Sequence, residues 1–374
     1  MAIIVCRKGS LCGFTLLGDI VGAFICSISD RDWETTLTMG VYGNKIGRVR
    51  QGCYQEFDSK TKYSIIRDLI GMKVGDVVFF HVLGRDKPSS VHGVYIVRSE
   101  PFYDKSIIWS DNFEVFPYRF LFRPYPEYRY LCDYDANIEV TDFYELIESR
   151  RIWSLATLEN EVNIEARSIR KIGEDEANEI IRLLHRDYRQ RRRQGKVGFN
   201  LLEPSISMIP LHREIGDIGR YENSIKALLM YKLAQRDPYL LDILGDITDF
   251  MNEVFIAQTT RKSIDILCIN RIEGTSTYII LEVKTGKCDT KSLSQVLYYM
   301  DLFKQKDLVD VNSDIIVGCL VGRAFEEHVI EYSRERNRQG VNGSLILLEY
   351  QPSANGRNAT FNQVVGRRGV NEGA

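Results

Sequence analysis

The chain has 374 residues, 44% apolar and 27% charged, with 49 basic against 51 acidic side chains and a formal charge of −2. Those proportions belong to a globular protein of about two domains. They exclude a disordered chain, a collagen-like repeat and a small disulfide scaffold. The segments 1–150, 151–216 and 217–374 are each balanced to within two charges, so bulk charge neither signals nor excludes a nucleic-acid partner.

Residues 1–135 read as short strands and turns, rich in aromatic and β-branched residues, as in Val77-Val-Phe-Phe-His-Val82 and Gly93-Val-Tyr-Ile-Val97. That is the pattern of a small β-barrel or sandwich. Short helices are expected at 64–70 and 142–150. Residues 173–194 predict one amphipathic helix, with Ala177, Ile180, Ile181 and Leu184 on one face. Its acidic opening, Glu174 to Glu176, and its basic end, Arg189 to Arg193, suit the helix dipole, and Gly195 stops it. Residues 195–217 read as a linker.

From residue 218 the expected order is a helix (218–236), three strands (253–259, 263–271, 277–285), a helix (292–306), a strand (314–321), a helix (325–337) and a strand (344–350). That order predicts a mixed sheet flanked by helices. The division expected is therefore 1–150, a helical connector and linker at 151–216, a second domain at 217–352, and a flexible tail at 353–374.

The eight cysteines form no C-x-x-C pair, so zinc spacing is absent and reduced, mostly buried thiols of a cytoplasmic protein are expected. No stretch of 18 apolar residues and no cleavage pattern occurs, so neither a membrane span nor a leader is expected. His81, His92, His185, His212 and His328 share no metal or triad spacing and read as structural. Trp153 reads as a packing residue of the connector.

The informative stretch is Ser263-Ile-Asp-Ile-Leu followed by Ile280-Leu-Glu-Val-Lys-Thr285. Strand period two puts Glu282 and Lys284 on one face. If the two strands pair as a hairpin, Asp265 lies beside Glu282. Two carboxylates and the Val283 carbonyl form a hard oxygen site suited to Mg²⁺ or Mn²⁺. Such a metal polarises a phosphodiester and acidifies a bound water. Lys284 would position or deprotonate that water, the latter provided its pKa is lowered. Glu222, early in the preceding helix, and Gln295, opening the following one, would face the same end of the sheet.

Residues 218–323 resemble the PD-(D/E)XK nuclease superfamily in its RecB-like branch: a helix Glu, a strand Asp, Glu-x-Lys, then Gln-x-x-x-Tyr. Here these are Glu222, Asp265, Glu282, Lys284, Gln295 and Tyr299, with Ile264 where the family name has Pro. The resemblance implies a restriction-endonuclease-like sheet and Mg²⁺-dependent phosphodiester hydrolysis. Asp265 and Glu282 would hold the metal, Lys284 would serve the water, and Glu222 and Gln295 would support them.

Residues 22–125 resemble the EVE domain, of the PUA-like group related to YTH domains. The carrying segments run from Ala23 to Glu34, Gly40-Val-Tyr-Gly43, Met72 to His81, Gly93 to Asp104, Trp109 and Phe116-Pro-Tyr-Arg-Phe120. Asp32 stands where the family usually has Asn. This resemblance implies a PUA-like β-barrel that reads modified bases. A flipped base needs aromatic walls, for which Trp33, Trp109, Tyr103, Tyr42 and Phe113 are the candidates. Arg48, Arg50, Arg191 and Arg192 are candidates for phosphate contacts.

Together the chain reads as a two-domain α+β and α/β protein resembling modification-dependent restriction endonucleases. The expected substrate is double-stranded DNA carrying 5-methyl- or 5-hydroxymethylcytosine, with a homodimer if both strands are cut. The alternatives are a nuclease of mismatched or branched DNA in repair, an RNA nuclease, and a non-catalytic nucleic-acid-binding protein.

Overall fold

The computed structural model describes residues 22–51, 53–85, 87–109, 116–155, 167–190, 196–205, 207–256, 262–272 and 274–366. The N-terminal part is built on a curled sheet. In spatial order its main path is Ile169–Ile172, Ala23–Ser29, Val77–Leu83, Ser90–Val97, Tyr118–Pro124, Phe102–Tyr103 and Ile209–Pro210. Val41–Asn44 pairs with Tyr118–Pro124, and Asn137–Glu139 pairs with Ser90–Val97. Ala23–Ser29 runs parallel to Val77–Leu83, and the other pairings are antiparallel.

Alternation along these strands separates two cores. Phe24, Val78, Phe80, Tyr95, Phe120 and Phe122 point to the inner face. Ala23, Ile25, Val77 and Phe79 point outward, under Ile180, Ile181 and Leu184 of the helix Glu174–Gln190. The 173–194 expectation therefore stands at its start and apolar face, but the helix is no connector. Together with the strand Ile169–Ile172 it completes the N-terminal sheet. Glu176 fastens its first turn by accepting from the backbone N–H groups of Trp153, Ser154 and Gly173. The expected linker is also fastened: Asn200 and Leu202 donate backbone hydrogen bonds to Thr38 and Met39, and Leu211 and Ile215 are buried.

The C-terminal sheet has the order Asp249–Phe255, Ser263–Ile272, Thr275–Val283, Ile315–Gly322, Leu345–Pro352, Ala359–Val365. Its first three strands form an antiparallel meander, the third to fifth are parallel, and the last returns antiparallel. The helix Glu222–Ala234 covers one face, where Ile225 and Leu229 join Ile266, Leu281 and Val317. The crossover helices Thr290–Phe303 and Glu327–Arg338 cover the other, where Val296, Met300 and Val329 join Ile280 and Leu320. Near-continuous apolar runs suit parallel strands buried on both faces.

The flexible tail expected at 353–374 is corrected in its described part. Ala359–Val365 is the edge strand, with Ala359, Phe361 and Val365 turned inward, and residues 367–374 lie outside the described residues. The two halves are not joined by a bare tether. Ile66, Leu69 and Ile70 of the helix Ser59–Ile70 share one apolar cluster with Ile225, Leu229 and Met230. Among the described residues no helix is long and apolar enough to cross a membrane. The described cysteines are unpaired, and all but Cys53 are buried.

Candidate active site

The hairpin register pairs Ile266 with Leu281, and the ladder ends there. One step further Asp265 meets Glu282. The Val283 N–H donates to Asp265 Oδ2 at 2.8 Å rather than to a strand carbonyl. Both carboxylates are buried, Asp265 at 6% and Glu282 at 1% exposure. Lys284 follows the strand end, where its Nζ donates to Glu282 Oε1 at 2.5 Å and to Gln295 Oε1 at 3.2 Å. Gln295 in turn donates to the Tyr299 hydroxyl at 2.9 Å. The Asp289 side chain caps this helix by accepting from the Ser292 N–H, which fixes Gln295 one turn in. The expected set of Asp265, Glu282, Lys284, Gln295 and Tyr299 thus lies together at one end of the sheet.

Glu222 arrives with a residue the sequence reading missed. It is the first residue of its helix, and one turn later Lys226 projects into the site. The Lys226 ammonium pairs with Glu222 at 3.2 Å, with Glu253 at 3.1 Å, and with Asp265 Oδ1. Glu253 is the second omission. It interrupts the strand Asp249–Phe255 with φ of 51°, a left-handed conformation rare for a residue with a side chain, between the paired Asn252 and Val254. Its carboxylate meets Lys226, Arg67 at 2.5 Å and the Ser263 hydroxyl at 2.8 Å. Arg67 also pairs with Asp68 at 2.9 Å, and Arg167 donates to Asp68 and to the carbonyls of Asn252 and Glu253. An unbroken chain of ion pairs therefore runs from the helix Ser59–Ile70 to Asp265.

Burial raises the pKa of both central carboxyls. For Asp265 the cost of burial, with Glu253 and Glu222 nearby, outweighs the attraction of Lys226. Glu282 is pushed up to about 8 by burial and then by Asp265, against the pull of Lys284. Burial also disfavours the Lys284 ammonium, but Glu282, Glu222 and Asp265 prevail and raise its pKa. The lowered pKa that a base role for Lys284 requires is not met in this arrangement: it is a held cation, suited to orienting a water or an anionic oxygen. For Glu253, burial is overcome by Arg67, Lys226 and Arg167, which hold its carboxyl well below the ordinary range.

Does this donor set suit a divalent cation? Among the described residues no group of three His, Cys, Asp or Glu side chains stands ready to hold a metal. The two carboxylates Asp265 and Glu282 remain hard oxygen donors, and Glu282 Oε2 is buried without a hydrogen-bond partner among the described residues. Two adjacent buried carboxylates, one with an orphaned oxygen, fit a hard cation. Asp265 Oδ1 would be ceded by Lys226 when it binds.

Among the described residues, Trp33, Tyr42 and Trp109 do not line an open pocket. The segment around Trp33 is the helix Asp30–Met39, ended by Gly40 at φ of 60°, and its inner face buries Trp33 and Leu37. The Trp33 ring packs on Phe80, His92 and Tyr95, and its Nε1 donates to Asp135. Tyr42 is fully buried beside Phe80 and Phe120. Trp109 belongs to a separate cluster with Val41 and Phe116, and its Nε1 donates to Thr36. All three are buried: strand alternation turns Tyr42 inward and Val41 outward, Trp33 lies on the inner face of its helix, and Trp109 is packed under Phe116. Tyr103 is half-buried and open to solvent on one side. Arg48 is exposed, while Phe113, Arg191, Arg192 and the Arg50 side chain lie outside the described residues. Trp153 packs by Phe303, as expected of a connector residue.

No family model matches the chain, and no curated protein matches it. Among solved structures, the human THYN1 protein in complex with 5-methylcytosine containing DNA aligns at 13% identity and a TM-score of 0.22. The alignment covers 44% of this chain and 97% of that one. At that TM-score it carries no argument about this chain.

Proposed function

We propose that the chain is a metal-dependent DNA endonuclease of the PD-(D/E)XK type, directed to modified DNA by an EVE-like, PUA-like N-terminal domain. The observation that carries the nuclease reading is the meeting of Asp265, Glu282, Lys284 and Gln295 at the splayed end of one hairpin, beside the start of the Glu222 helix. Asp265, Glu282 and the Val283 carbonyl would hold Mg²⁺ or Mn²⁺. The ion supplies Lewis acidity to the phosphodiester and acidifies a water. Lys284, held between Glu282 and Gln295, orients the attacking oxygen and screens the phosphate charge. Gln295 keeps that ammonium in place and is itself oriented by the Tyr299 hydroxyl. Glu222 balances Lys226 at the mouth.

The reader reading rests on the segment resemblance from Ala23 to Phe120. It is tested by cleavage of matched duplexes that are unmodified or carry 5-methylcytosine, 5-hydroxymethylcytosine or N6-methyladenine, with Mg²⁺ or Mn²⁺. Cutting of one modified duplex alone supports it. Equal cutting of all four keeps the nuclease and removes the reader, leaving repair. A mismatched duplex and an RNA in the same panel test those alternatives. One site per chain cuts one strand, so double-strand breaks would come from a dimer.

A further inference from the structure

The candidate reading aromatics Trp33, Tyr42 and Trp109 are buried, yet one expected aromatic, Tyr103, is only half-buried. Tyr103 opens onto a cleft of about 270 Å³ between the N-terminal sheet and the helix Ser59–Ile70. This lies just under the roughly 300 Å³ at which small-molecule sites begin, so it suits one nucleotide unit rather than a larger ligand. Tyr63, Tyr103 and Tyr118 line it, with Lys62 and Lys105 at the rim. The Tyr103 and Tyr118 rings lie 5.8 Å apart at 50°, and the Lys105 ammonium stands 5.7 Å from the Tyr103 ring centre. Two carboxylates, Glu56 and Glu214, complete the lining.

We propose that this cleft, and not the buried tryptophans, seats a single nucleotide of the bound strand, its base against Tyr103 and its phosphate at Lys62 and Lys105. The proposal rests on the reader reading and gives it a location. Tyrosine faces accept any base by stacking, and lysines meet phosphate as point charges. Glu56 and Glu214 would repel a phosphate placed deeper, but they accept hydrogen bonds from an exocyclic amine. The base selected is therefore an amino-bearing one, cytosine, adenine or guanine rather than thymine. Glu56 is paired with Lys62, so one acceptor is already charge-balanced.

Position supports the assignment. Tyr63 donates to Asp217 at 3.1 Å, and its ring lies 5.8 Å from that of Tyr221. Tyr221 is the residue before Glu222, at the N-terminal boundary of the helix that carries Lys226. The cleft therefore adjoins the segment that leads into Glu222, so a strand seated there would run towards the mouth of the nuclease site. Burial, followed by Asp217, pushes the Tyr63 phenol up to about 12, so it stays neutral and stackable at working pH.

The test is fluorescence anisotropy in EDTA, where cleavage is absent, with the full chain and short duplexes that differ only in one modified cytosine. Tyr103→Ala is expected to weaken binding of the preferred duplex about tenfold or more, and Tyr103→Phe to stay within about threefold. Lys105→Gln, at an exposed position, is expected to lower affinity a few-fold and make its salt dependence shallower. Melting temperatures identify any variant that fails to fold, and Lys105→Gln then carries the test. If the wild type prefers the modified duplex but Tyr103→Ala and Lys105→Gln bind it as the wild type does, the cleft is not the seat and the reader reading survives. If the wild type binds all duplexes alike but both variants lose affinity, the cleft stands and the reader reading falls. If the wild type binds none, both fall.

Discussion

Lys226 places an ammonium where a metal would share Asp265 Oδ1, and replacing it makes a sharp test. The side chain is 6% exposed and touches Glu222, Glu253 and Asp265. Lys226→Met keeps most of the volume and removes the charge. Removing one partner from a buried ion pair costs about 3–5 kcal/mol, because the remaining charges lose their compensation. At roughly 2–4 °C per kcal/mol, the metal-free variant should melt about 6–20 °C below the wild type. A divalent ion can now settle among carboxylates with no ammonium to displace. At a hundredfold excess over its Kd it returns about 2.7 kcal/mol to the folded state. Thermal melts of both proteins in EDTA and across a Mg²⁺ series read this directly. The variant should regain most of its deficit, and the wild type should shift distinctly less. Equal shifts in the two proteins, or none in the variant, would refute the claim that the ammonium and the ion share a seat.

Glu253→Gln should destabilise the protein at neutral pH and flatten its acid sensitivity. Its lowered carboxyl pKa gives stability that is present above the unfolded value of about 4.3 and lost as pH falls through the folded one, as acid melts of both proteins would show. Glu282 carries the opposite sign. With its pKa raised to about 8, the metal-free fold is favoured at low pH and loses that contribution as pH rises towards 8, while metal must displace the proton. Calorimetry should therefore show Mg²⁺ affinity rising from pH 6 to 8 with proton release, which Glu282→Gln abolishes. Trp33→Ala should cost about 3–5 kcal/mol as a core truncation. Trp33→Phe, which keeps the ring, should melt nearer the wild type and bind modified DNA unchanged; selective loss of that binding would return Trp33 to the reading surface.

Much of the nuclease candidate was legible because its geometry is periodic. Glu282 and Lys284 sit two apart at the end of a strand, Gln295 and Tyr299 four apart on a helix, and neither relation depends on the rest of the chain. Glu253 was not legible, since what aims it is one left-handed backbone conformation inside a strand. Lys226 left a faint signal: a lone lysine among Ile225, Ala227, Leu228 and Leu229, one turn after Glu222, in a helix buried on most sides. Trp33 was misplaced because its helix is rich in threonine, which masks helical propensity, although Gly40 marks its end. The last strand alternates Ala359, Phe361 and Val365, but flanking Gly, Asn and Arg residues made the segment read as loose.

The most direct measurement is nicking of a supercoiled plasmid carrying modified cytosines, by the 374-residue chain in Mg²⁺, beside Asp265→Asn. The account predicts that the wild type converts the plasmid to nicked or linear form. EDTA stops the conversion, and the folded variant loses at least a hundredfold in rate. Conversion at equal rates by the wild type and a folded Asp265→Asn, or conversion that survives EDTA, would contradict it.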